Sequence, residues 1–207
     1  MKVFLLLALL INTAFAEELH KFRPDYWSRG LHLNAGGGIN AVHYTSSDQF
    51  DEIGGGINFK TDLGYYFTNR FAIEWSSNVK FNTIDGYQVW DTLITGGIRY
   101  RIKEYYVRLF YGKSPTVIFF NGDVPEEYKG TKASRLQFDG PVYGYAVGKY
   151  YQKDNGLIWF LEGSMTLQQL KDREAIYMDG QVPEVVERGT DRGVITSLYL
   201  MIGILVF

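Results

Sequence analysis

The chain has no cysteine. That removes disulfide staples, thiol nucleophiles and cysteine-linked lipid anchors together. Proline is scarce, at 5 of 207 residues, so the backbone can donate hydrogen bonds almost everywhere. No sign of charge dominates: 21 Lys and Arg against 23 Asp and Glu leave a formal net charge of −2. Nucleic acid and other polyionic partners therefore gain no support. There are 3 histidines, His20, His32 and His43; their spacing fits no zinc-ligand pattern, and no metal or cofactor is expected. Beyond the first sixteen residues no apolar run reaches the roughly 18 residues that a membrane helix needs.

What is present begins with an export signal. Residues 1–16 hold Lys2, an unbroken apolar run over 3–11, and Ala14-Phe15-Ala16 ahead of an acidic pair, a small-x-small cleavage pattern. Cleavage would leave 17–207, long enough for one domain with a full core. The other end is equally apolar: 194–207 reads VITSLYLMIGILVF and stops at Phe207. Termini of soluble domains are usually frayed and solvated, so this one has to be held by something apolar.

Between these ends the hydrophobic period is two. Over 57–67 the odd positions are Ile57, Phe59, Thr61, Leu63, Tyr65 and Phe67, with Asn58, Lys60, Asp62 and Gly64 between them. The next segment sets Phe71, Ile73, Trp75, Val79 and Phe81 against Glu74, Ser76, Asn78 and Lys80. A helix would scatter these charges around its axis; a strand puts them on one face. Extended along the chain, the pattern predicts eight strands, near 30–44, 53–67, 70–82, 89–102, 105–118, 140–152, 157–170 and 193–207. Short connections at 68–69, 103–104 and 153–156 alternate with long ones at 45–52, 83–88, 119–139 and 171–192. Short turns on one rim and long loops on the other predict an all-β fold, an eight-stranded antiparallel up-and-down transmembrane β-barrel. Closure leaves no backbone group unsatisfied in lipid. The predicted layout is a cleaved signal (1–16), a periplasmic arm (17–29) carrying Phe22, Pro24, Tyr26 and Trp27, and the barrel (30–207).

Aromatics bracket every short turn: Tyr65-Tyr66-Phe67 with Phe71, Tyr100 with Tyr105-Tyr106, and Tyr150-Tyr151 with Trp159-Phe160. Rings with a polar edge favour the headgroup level, so these predict one girdle, with Phe81, Trp90 and Phe119-Phe120 forming a sparser one opposite. The core of a soluble sandwich would not track the short turns in this way. Pro115 cannot donate to a ladder, so strand five should end or bulge near Ser114. Over 142–151 both faces are mixed. The last strand is apolar on both faces, and Tyr199, Met201, Gly203, Leu205 and Phe207 are expected to point outward.

By phase the inward set is His32, Asn34, Lys60, Asp62, Glu74, Lys80, Asp91, Arg99, Arg101, Arg108 and Glu162. Opposite charges then recur on neighbouring strands: Lys60 and Asp62 beside Glu74 and Lys80, and Asp91 beside Arg99. An eight-stranded barrel is narrow enough for side chains to fill, and charges inside it must be paired. The expected role is a plug of ion pairs in a structural or surface-interaction barrel. A narrow gated channel for small solutes or ions, opened by partner exchange, is the alternative.

These features resemble the small eight-stranded outer-membrane barrels, the group containing the OmpA transmembrane domain, OmpX and OmpW. The resemblance covers the mature chain in architecture and is most specific in the final strand. There Tyr199, Met201, Leu205 and Phe207 match the alternating positions of the signal that barrel-assembly machinery reads in that family, with the terminal Phe as its key residue; Gly203 departs from the pattern. It implies a bacterial outer-membrane location, contact with outer-membrane lipid and lipopolysaccharide, and handling by periplasmic chaperones and the assembly machinery. A monomer is expected, and an enzyme is not. Barrel lipid hydrolases use a rim Ser–His pair. His43 has the right phase, but the lipid A deacylase spacing His-x-Ser meets Thr45 here, Ser46 and Ser47 fall in the loop, and no carboxylate stands out as orienter. Two loop segments echo each other, 122–126 and 180–184, each Gly-x-Val-Pro-Glu, as exposed turn chemistry does.

Overall fold

A computed structural model describes residues 30–45, 51–84, 87–120, 134–153, 156–179, 182–190 and 193–206. The export signal, the 17–29 arm, Phe207 and the 122–126 echo lie outside the described residues. The chain forms β1 (Gly30–Thr45), β2 (Asp51–Tyr66), β3 (Phe71–Ile84), β4 (Tyr87–Ile102), β5 (Tyr105–Lys113) and β6 (Thr116–Phe119). These are followed by β7 (Arg135–Asp139), β8 (Pro141–Gln152), β9 (Ile158–Gln169), β10 (Asp172–Asp179), β11 (Val182–Thr190) and β12 (Val194–Leu205). Eight of them close an antiparallel barrel in the order β4-β3-β2-β1-β12-β9-β8-β5, sealed by β4 pairing with β5. The first and last strands run together from Asn34 opposite Leu205 to Thr45 opposite Val194.

Four walls of the barrel continue upward past a crease. Pro115, Gly140, the 170–171 step and Gly193 interrupt β5–β6, β7–β8, β9–β10 and β11–β12 at one level. Single hydrogen bonds carry the ladder across it: Ser114 N–H to Gly140 O (3.0 Å), Thr92 N–H to Pro115 O (3.0 Å) and Leu170 N–H to Gly193 O (2.8 Å). The break expected at Ser114 is therefore part of a bend shared by the sheet. Above it, β6, β7, β10 and β11 extend the sheet from β4, with β11 as its edge. The edge is blunted by Pro183, by exposed Glu184, Glu187 and Arg188, and by a bulge opposite Ala175/Ile176. The connections expected at 119–139 and 171–192 thus contain strands. Their charges and the bulge break the period-two signal that would have revealed them.

Side chains sort by the pleat. On β2 and β3, Phe59, Leu63, Ile73 and Trp75 face outward and are exposed, whereas Lys60, Asp62, Glu74 and Lys80 are buried inside. On β8 the register settles the mixed stretch: Tyr143, Tyr145, Val147, Lys149 and Tyr151 face out, and Val142, Ala146 and Tyr150 face in. For β12 the expectation is reversed. Leu198, Leu200, Ile202, Ile204 and Val206 are the exposed residues, while Tyr199 (5%) and Met201 (1%) are interior. Those two, with half-buried Leu205, pack against Tyr106, Tyr150 and Phe160. From Leu198 to Val206 the outward positions are then all aliphatic, which suits hydrocarbon better than a tyrosine does. The apolar outer band, the short turns on one rim and the taller walls on the other define an outer-membrane β-barrel, long loops extracellular.

The barrel interior as candidate functional site

Inside the wall, three layers succeed one another from the periplasmic end. The lowest is ionic. Lys60 Nζ sits 2.9 Å from Asp62 Oδ2 and 2.6 Å from Glu162 Oε1, joining β2 to β9 across the bore. Asp62 also accepts from Arg99 Nη2 (3.3 Å) and Arg108 Nη1 (2.8 Å). Glu74 lies 2.8 Å from Arg99 Nε, 3.8 Å from Arg108 and 2.6 Å from His32 Nε2. Three carboxylates thus face three cations, all nearly inaccessible to solvent. Arg108 donates further to Ser76 Oγ at 2.8 Å, and the Tyr106 hydroxyl donates to Glu162 at 2.9 Å. Burying such groups is costly unless each charge meets another with good geometry. Here Asp62 is the hub, with cations from β2, β4 and β5.

Aromatic rings floor this layer. Arg99 stacks 4.1 Å from the centre of the Tyr106 ring and donates to the Tyr150 hydroxyl. Tyr106 and Tyr150 lie 4.8 Å apart, and the His32 ring lies 4.7 Å from Tyr66. Arg101 reaches the rim, donating to Asn69 O at 2.6 Å. The expected girdle therefore splits. Tyr65, Phe67, Phe71, Tyr100 and Trp159 stay on the outer face, while Tyr66, Tyr106, Tyr150 and Phe160 turn in. Glycines make room for the inward rings. Tyr106 pairs directly with Gly148, and Phe160 fills the space left by Gly203 and Gly36. A side chain at Gly148 would meet the Tyr106 ring itself.

The middle layer is polar with one ion pair. Lys80 Nζ is 3.1 Å from Asp91 Oδ2, and Asp91 also accepts from Thr116 (2.5 Å) and Asn82 (3.2 Å). Asp91 does not join Arg99: both lie on β4, four inward positions apart, too far along one strand to touch. Gln168 donates to Thr116, the Tyr199 hydroxyl bonds Thr166, and Asn58 donates to Met201 Sδ at 2.7 Å. Asn34 is buried near the ionic layer without joining an ion pair.

The uppermost layer is apolar. Val42, Tyr44, Ile84, Val89, Leu136, Phe138, Leu170, Ala175 and Ile195 form one buried cluster, with Ile118 and Phe120 against it. It draws on the tall walls as well as the barrel strands and fills the extracellular mouth. Nothing in a polar-inside pattern anticipates this cap. The signal for the inward rings was in the sequence: an aromatic phased with the charges, and a glycine phased across from it.

At the outer rim His43 Nε2 lies 2.5 Å from Asp51 Oδ1, both exposed. That supplies the orienting carboxylate the sequence did not suggest. The paired-strand serine, Ser197, is fully buried inside, and Ser46 and Ser47 lie outside the described residues. Outward on the same rim, Trp90 packs with Phe81 (5.3 Å) and Phe119 (4.9 Å); Phe120 joins the cap instead.

No family model and no curated protein matches the chain. Solved structures do. Ail, the attachment invasion locus protein of Yersinia pestis, aligns with a TM-score of 0.56 at 12% identity over 85% of this chain and 99% of Ail, in a structure with the heparin analogue sucrose octasulfate. A second Ail structure gives 0.54 at 12% identity, over 86% and 99%. The outer membrane protein OprG from Pseudomonas aeruginosa gives 0.46 at 10% identity, over 86% of this chain and 96% of OprG. The Ail alignments establish a shared fold. The protein is a small eight-stranded outer-membrane β-barrel with an internal polar and charged network.

Proposed function

We propose that this barrel is a closed structural platform whose extracellular wall meets other molecules, and that its lumen does not conduct. What carries the reading is the doubled seal: a charge-balanced cluster around Asp62 below and the apolar cap around Phe138 above. A conduit would have to break ion pairs already at hydrogen-bond distance and also wet an apolar plug. Either step is expensive; together they argue for a wall rather than a pore. On the extracellular wall Arg173 pairs with Glu187 and Arg188 with Glu174, both at 3.1 Å. The surface is thus mixed in sign, and it does not favour a sulfated polyanion of the kind bound to Ail.

Lipopolysaccharide would surround the long-loop rim, and periplasmic chaperones and the assembly machinery would deliver the chain. The signal Tyr199, Met201, Leu205 and Phe207 would then be read on a strand whose membrane face is Leu198, Leu200, Ile202 and Ile204. Planar-bilayer recording of the refolded mature protein tests the closed lumen. No discrete openings are expected; steady unitary currents at low voltage would restore the gated channel.

A further inference from the structure

One ladder of the barrel joins the two ends of the chain, β1 against β12. Loop-closure entropy grows with the length of chain enclosed, so this seam is the most unfavourable ladder to begin. Until it forms, two strand edges stand unpaired in lipid. Yet its first strand is locally weak. Gly36, Gly37 and Gly38 lie in the interior of β1, where glycine weakens a strand and marks close approach by another group. Register shows what approaches. Gly36 and Gly38 are successive inward positions, paired with Gly203 and Met201 on β12 and with Lys60 and Asn58 on β2. On the far side of β12, Gly203 and Met201 pair with Phe160 and Glu162 of β9. The inner face of the seam is thus a bare trough, with side chains standing on either bank.

Three contacts cross it. The Phe160 ring lies over Gly203 and reaches Gly36, where a Cβ would stand 3.1 Å from its Cζ. Asn58 Nδ2 donates to Met201 Sδ at 2.7 Å, passing over Gly38, whose Cβ would stand 2.8 Å from Met201 Cγ. Lys60 Nζ meets Glu162 Oε1 at 2.6 Å, from β2 to β9 over both seam strands. The last two join residues 143 and 102 positions apart in the chain. No local hairpin can make these contacts; each needs β1 and β12 already side by side. A side chain at Gly36 or Gly38 would take the space they cross. We propose that Phe160, the Asn58–Met201 contact and the Lys60–Glu162 pair form a latch that holds the seam shut from inside. It is made last, as the barrel closes during assembly, and it sets how readily the closed seam reopens. The latch is independent of whether the lumen conducts.

Amide hydrogen exchange of the whole mature barrel in lipid vesicles reads it ladder by ladder. F160A is expected to speed exchange of the β1–β12 amides about tenfold, while the β3–β4 amides stay within about twofold of wild type. N58A should act at the same place and more weakly. F110A is the control: its ring also lies over a glycine, Gly144 of β8, but away from the seam, and it should leave the β1–β12 amides unchanged. Equal acceleration of every ladder by F160A, or a seam opened as much by F110A, overturns the latch. Wild type alone gives a second reading. In pulse labelling during folding into vesicles, the β1–β12 amides should become protected last, together with the heat-modifiable form on a gel. Protection of the seam before the β2–β3 ladder overturns the latch as well.

Discussion

Around Asp62 the barrel is filled by charges that touch one another; around Phe138 and Ile195 it is filled by aliphatic and aromatic side chains that carry no charge. Both regions exclude water from the same narrow bore. They differ in what happens when one member is lost. Below, each group is some other group's counter-charge, so deleting one strands its neighbours. Above, a deletion leaves a hole that the surrounding side chains can partly close. The lower layer is therefore the more specific and the upper the more forgiving.

The largest expected effect is at the ionic hub. Asp62→Leu leaves Lys60, Arg99 and Arg108 sharing two carboxylates, and should cost about 3–5 kcal/mol in urea unfolding from lipid vesicles. Asp91→Leu should cost a similar amount, but Asp91→Leu combined with Lys80→Met should recover most of it, because an apolar pair replaces the ion pair. A double variant no better than the single would mean that the pair is not an isolated unit. In the cap, Leu170→Ala should cost about 2–5 kcal/mol, as a cavity does, and the loss should not depend on any second substitution below. On the outer wall, Leu63→Arg should cost about 2–4 kcal/mol if it lies near the bilayer midplane. Tyr106→Phe keeps the stack on Arg99 and removes the bond to Glu162, for about 1.5–3 kcal/mol. The smallest effect belongs to the exposed wall: Arg173→Ala should shift stability by about 0–1 kcal/mol.

How much of this could be read beforehand depended on contrast between faces. On β2 and β3 charge alternates with hydrocarbon, so Lys60, Asp62, Glu74 and Lys80 were legible as inward from phase alone. On β12 both faces are apolar, so period two carries no sign, and the phase expected from the sequence is the reverse of the observed one. The cap was illegible for a related reason. Val42, Ile84, Val89, Phe138 and Ile195 come from different strands, and each looks like an isolated lapse in a polar face until the register gathers them. Partners within the interior were harder still. Lys80 meets Asp91 across β3 and β4, as pairing of adjacent strands allows, whereas Lys60 meets Glu162 across the bore, which only closure of the cylinder brings about. The outward Lys149 was visible as a residue, but its direction depended on settling a stretch where both faces are mixed.

The division between an outer face for lipid and an inner face for these two fillings is most exposed on β12, where sequence phase and structure disagree. Nitroxide labels placed singly at residues 197 to 202, in the barrel reconstituted in bilayers, read it through collision with lipid-dissolved oxygen. Collision should be high at positions 198, 200 and 202 and low at 197, 199 and 201. The opposite alternation, with 199 and 201 open to lipid, would contradict the packing of Tyr199 and Met201 against Tyr150 and Phe160, and with it the filled interior described above.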